Sequence, residues 1–107
     1  MTVTTALLTF AAGAQQFPAA PGIGLCRRVF AQPLRSNTHV CSVGISTVTC
    51  DGSGTGVVQE LAQPPAATLP LDSFLMEDQG GSNTLDPTVF FAQGTAGEQL
   101  KVSYTQA

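Results

Sequence analysis

The chain reads as an all-β domain, a small sandwich or barrel of about seven to eight short strands with an N-terminal extension. Three observations carry that expectation. No segment sustains a 3.6-residue apolar period, so no amphipathic helix is expected. Short runs rich in Val, Thr, Phe and Leu are separated by clusters of Pro and Gly. Near the C-terminus, Leu100, Val102 and Tyr104 alternate with Gln99, Lys101 and Ser103, the period of a strand with one buried and one wet face.

The organisation falls into an N-terminal strand or arm with a Pro/Gly loop, residues 1–23, and a β-sandwich domain, residues 24–107. Residues 2–10 are rich in Thr, Val, Leu and Phe and read as a strand, either at a sheet edge or pairing with another subunit. The apolar stretch 6–14 lacks the basic start of a secretory leader, and its threonines favour strand over helix. Residues 11–23 hold Gly13, Pro18, Pro21 and Gly22 and read as irregular, with Phe17 anchoring the loop onto the core. Residues 24–32 form the next strand, in which Arg27 and Arg28 point to opposite faces, and Pro33 ends it. A turn at Arg35-Ser36-Asn37-Thr38 leads into residues 39–49, one long strand or two short ones broken at Gly44, with Cys41, Val43 and Ile45 on the inner face. The glycine-rich run 51–56 is a hairpin loop, because no Lys-Ser or Lys-Thr follows it as a phosphate loop requires.

Residues 57–61 read as a strand, and the proline-bearing segment 62–70 crosses from one sheet to the other. Leu71, Phe74, Leu75 and Met76 belong to a short strand or helical turn. Residues 77–84 form an acidic, glycine-rich surface loop whose charges keep it open. The chain closes on an apparent β-hairpin, with Phe90 and Phe91 before a loop containing Gly94 and Gly97, and the alternating strand after it. Phe90 and Phe91 point to opposite sides, one into the core and one toward an interface.

Charged residues make up 10% of the chain, against about 25% in ordinary globular domains. So sparse a charged surface points to a protein covered by partners. A net charge of −3 with four basic residues does not suit phosphate binding, so no nucleic-acid partner is expected. No run is long enough to span a bilayer, and no membrane partner is expected either. Cys26, Cys41 and Cys50 form no CxxC motif and are read as reduced thiols, a Cys41–Cys50 bridge being the alternative. The single histidine, His39, has no evident nucleophile beside it, and the Asp72, Glu77 and Asp78 group lacks the spacing of a calcium loop. Neither an enzyme nor a cofactor is expected.

The order Cys26-Arg27-Arg28-Val29, then Asn37-Thr38 before Val40-Cys41-Ser42-Val43-Gly44, then Leu69-Pro70-Leu71-Asp72, then Gly94-Thr95-Ala96-Gly97-Glu98 with the strand ending at Tyr104 resembles small virion proteins of tailed bacteriophages, of the capsid decoration or cement type. The resemblance implies a structural protein on the capsid exterior, made in the host bacterial cytoplasm. Its partners would be the major capsid protein and further copies of itself, as a homotrimer or a dimer. Residues 1–23 are longer than that pattern and residues 80–86 are an insertion, both suited to contacts with the capsid or neighbouring copies. Under this reading the partner interface comprises Thr2, Val3, Thr4, Leu7 and Phe10, the Phe17 loop, and Phe74, Met76 and Phe91. Alternatives are a tail- or head-fibre-associated virion protein, and a carbohydrate-binding sandwich with Phe90, Tyr104 and His39 lining a shallow site.

Overall fold

The computed structural model describes residues 1–18, 24–65 and 69–107. Among these residues there are eight strands: β1 (Thr2–Thr9), β2 (Gln15–Gln16), β3 (Arg28–Pro33), β4 (Cys41–Gly44), β5 (Val57–Leu61), β6 (Phe74–Glu77), β7 (Phe91–Gln93) and β8 (Gln99–Gln106), with one 3-10 turn at Pro87–Val89. They form two four-stranded sheets, β1-β8-β3-β6 (sheet A) and β2-β7-β4-β5 (sheet B), all neighbours antiparallel. The arrangement is a small sandwich, without barrel closure.

Period-two patterning explains how the layers meet. In β8, Leu100, Val102 and Tyr104 are fully buried while Lys101 is exposed, and in β3 Val29 and Ala31 are buried between half-exposed Arg28, Phe30 and Gln32. Sheet B contributes Cys41, Val43, Leu61 and Ala92 to the same core. Burying side chains of this size stabilises the fold by about 1.5–3 kcal/mol each.

Several expectations are corrected. Of the two readings of residues 2–10, the sheet edge is the one found rather than a free arm, because β1 is the outermost strand of sheet A and pairs with β8 along its whole length, from Thr2↔Gln106 to Thr9↔Gln99. Phe10 and Phe17, 2% and 1% exposed, sit in the core. Phe74, 2% exposed, does too, and so these three are not surface contacts. Of the Pro/Gly loop, residues 19–23 lie outside the described residues.

The closing segment is not a hairpin either: β7 belongs to sheet B and β8 to sheet A, so residues 94–98 carry the chain between layers. Phe10 holds that crossing in place. Its N–H donates to the Glu98 carbonyl (2.9 Å) and its own carbonyl accepts from the Gly97 N–H (3.0 Å). Its ring lies so close to Gly94 that a Cβ there would sit 2.7 Å from ring carbons, which is why glycine precedes the crossing.

Ile45 is 55% exposed rather than inward-facing. The ladder register shifts between Val43 and Gly44, and the chain then turns, with the Ile45 N–H on the Gly56 carbonyl (3.0 Å). A Cβ on Gly44 would overlap that carbonyl oxygen, so the bulge requires glycine at this position. The expected hairpin loop 51–56 lies within a longer connection between the paired strands β4 and β5, because the strand expected over 39–49 spans only Cys41–Gly44. The segment 62–70, of which residues 66–68 lie outside the described residues, falls as expected between β5 of sheet B and β6 of sheet A.

The acidic loop is closed by its charge instead of being held open. Asp78 accepts from the Gly80 N–H (2.7 Å), the Ser82 N–H (3.3 Å) and the Thr84 hydroxyl. These bonds, that of Thr84 foremost, hold its carboxyl below its ordinary value.

Candidate functional site

Two surfaces stand out among the described residues: a cavity beside the β7–β8 crossing, and the outer face of sheet A.

The cavity, about 370 Å³, is lined by Thr38, His39, Val40, Cys50, Gln63, Gln93, Gly94 and Thr95. Its rim is built by the turn after β3. Asn37 is buried, and its side-chain N–H donates to the Gln99 carbonyl (2.7 Å) while its oxygen accepts from the Gln99 N–H (3.3 Å). The amide thus substitutes for one more strand residue beside β8. One step on, Glu98 receives the Thr38 N–H (2.7 Å) and hydroxyl (3.0 Å), the His39 N–H (3.3 Å) and, at 3.4 Å, the His39 Nδ1. Desolvation opposes its ionisation, but the Thr38 and His39 bonds outweigh it and keep the carboxyl below its ordinary value.

Cys50 donates weakly to the Val40 carbonyl (3.5 Å), and His39 Nδ1 is engaged by Thr38 and Glu98. The cavity therefore presents hydrogen-bonding groups of Thr38, His39, Gln63, Gln93 and Thr95. Among the described residues no group of three His, Cys, Asp or Glu converges as a metal site. The three cysteines are free, and burial followed by nearby Cys50 pushes the Cys41 thiol up to about 12.

The expected aromatic sugar platform is not assembled. Tyr104 is fully buried with its hydroxyl donating to the Pro18 carbonyl (2.7 Å). Phe90 packs inward against Phe17 and Phe74, with ring centroids 5.8 Å apart in both pairs. His39 lies apart from them, on the cavity rim.

Register places the outer face of sheet A residue by residue. One row across the sheet is Thr5, Ser103, Phe30 and Leu75; a second is Val3, Thr105, Arg28 and Glu77; a third is Leu7, Lys101 and Gln32. Val3 is 58% exposed, Leu7 53% and Leu75 51%. Arg28 is neutralised by Glu77 through its Nε at 2.8 Å, leaving Lys101 as the one unneutralised charge among the described residues of the face. Met76 is exposed at the β6 edge of the same sheet.

Of the sequence-derived interface residues, Thr2, Val3, Leu7 and Met76 are therefore exposed on sheet A, and Thr4 is half-buried. Phe91 is half-buried on sheet B. The cavity was missed in the sequence except for His39. Its lining comes from four separate segments, which only the strand order brings together. Compared with protein-family models, curated proteins and solved structures, the chain matches none.

Proposed function

We propose that the chain is a non-enzymatic virion protein that binds the outside of a bacteriophage capsid lattice and stabilises the expanded shell, using the outer face of sheet A. The observation that carries the reading is that face itself. Val3, Leu7 and Leu75 stand exposed on it beside a neutralised Arg28–Glu77 pair. Apolar side chains set in so little charge favour contact with a protein surface over nucleic acid. The motifs from Cys26 to Tyr104 that resemble cement proteins supply the capsid as the target, with the major capsid protein as partner.

The mechanism is thermodynamic. A protein that binds the expanded lattice and not its free subunits stabilises the lattice by mass action. Many copies acting on one particle multiply a modest contact.

The test is co-sedimentation of the purified protein with expanded shells lacking it, and thermal disruption of those shells with and without it. Binding that raises the disruption temperature, and is lost in Leu75→Lys, supports the proposal. Shells that bind none of it and resist heat equally overturn it. Density located on a tail or head fibre would move the protein to that part of the virion.

A further inference from the structure

We propose that two copies of this chain join through β1, edge to edge about a two-fold axis at Thr5, to make one continuous eight-stranded sheet. The inference goes beyond the capsid reading and does not depend on it.

Hydrogen-bond parity comes first. Phe10 turns both its N–H and its carbonyl toward the β7–β8 crossing and the start of β8, at Glu98 and Gly97. In an antiparallel ladder the bonded residues alternate, and β1 pairs with β8 without a register shift. Thr4, Ala6 and Leu8 therefore face β8 with their main-chain groups, while Val3, Thr5 and Leu7 face outward. No described residue donates to or accepts from those outward groups.

The edge also lacks the features that normally block pairing. Residues 2–9 contain no charge, no proline and no glycine, and they form an unbroken strand. A second strand added here must pair outward-facing residues with outward-facing residues, so the two partner numbers sum to an even value.

Among such self-pairings, the registers in which the numbers sum to ten and to twelve each overlap seven of the eight residues of β1; the sum of ten is the one that sets apolar side chains opposite each other. It sets Thr5 opposite Thr5 of the second copy, and Val3 opposite Leu7 on each side of the axis. Three opposed pairs with two bonds each give about six main-chain hydrogen bonds. On the outer face each Val meets a Leu, and on the inner face Thr4 meets Ala6. Moving the register to a sum of twelve replaces the Val–Leu pairs with Val3–Thr9 and Thr5–Leu7, and moving it to a sum of eight replaces them with Val3–Thr5 and Leu7–Met1. With no charge to select a charged foreign strand or to repel an identical one, a second copy is the occupant this edge fits. The product is a closed dimer whose two sheet A outer faces lie side by side.

The experiment uses the full chain. Sedimentation equilibrium should give twice the chain mass, and amide hydrogen exchange should show protection at Val3, Thr5 and Leu7 as well as at Thr4, Ala6 and Leu8. Thr5→Lys sets like charges directly opposite each other, which is destabilising, and should halve the mass. Thr5→Pro removes only an outward N–H and should also yield a folded monomer. Gln32→Lys, on the same face but two strands from the axis, should stay dimeric. A monomer at every concentration, a trimer, or free exchange at Val3, Thr5 and Leu7 would overturn the proposal. So would a dimer that survives both Thr5 substitutions; the exchange pattern decides the matter in the native chain if the variants do not fold.

Discussion

Glu98 is the residue on which the cavity rim depends, receiving the Thr38 N–H at 2.7 Å and hydroxyl at 3.0 Å. Its folded-state carboxyl is lowered, so its stabilisation is fully present above the unfolded-state value. That stabilisation is lost as pH falls through the lower folded-state value. The difference in melting temperature between wild type and Glu98→Gln should thus be largest near neutrality and shrink on acidification, measured by circular dichroism across pH. At Gly44, alanine must push its Cβ into the Gly56 carbonyl, and denaturant melts should show a loss of about 3 kcal/mol, as overpacking of a site that cannot yield costs. Tyr104→Phe removes the hydroxyl bond to Pro18 and should cost about 1 kcal/mol in the same assay. The need for glycine at 44 was legible as an expected bulge. The role of Glu98 was not, since its partners lie about sixty residues away in the chain.

Among elements, β1 carries the largest revision. A strand at the chain terminus reads from sequence either as a sheet edge or as an arm, and its full pairing with β8 and the placement of Phe10 beneath the β7–β8 crossing make it an edge strand that is part of the core. Removing residues 2–10 should therefore unfold the domain, seen as collapse of amide dispersion in a proton–nitrogen correlation spectrum; a truncated chain that kept its native spectrum would restore the arm. The closing segment fails as a hairpin for a related reason. Apolar runs on either side of a glycine loop look alike whether the strands pair with each other or separate into two layers. Here Ala92 turns into sheet B beside Val43, and Val102 into sheet A beside Ala31.

For the whole molecule, the sandwich sorts the cysteines by access. Cys26 and Cys41 are buried and Cys50 is half-exposed. Burial raises the Cys26 thiol, and burial with nearby Cys50 raises that of Cys41. Alkylation of the native protein without reductant should label Cys50 first, with Cys26 and Cys41 reacting only on unfolding, as read by mass spectrometry. Equal labelling of all three in the native state would contradict the core.

Sequence by itself determined the class of the fold, the glycine-rich β4–β5 hairpin loop, the inward row Leu100, Val102 and Tyr104, and the core anchoring of Phe17. These follow from side-chain alternation and from backbone preferences of Gly and Pro, which act between near neighbours. Tertiary structure alone decided which strands share a sheet, that Phe10 and Phe74 face inward, and that β1 pairs with β8 along its whole length. Those outcomes rest on pairings such as Thr2 with Gln106, made between residues at opposite ends of the chain, where no local pattern selects the partner.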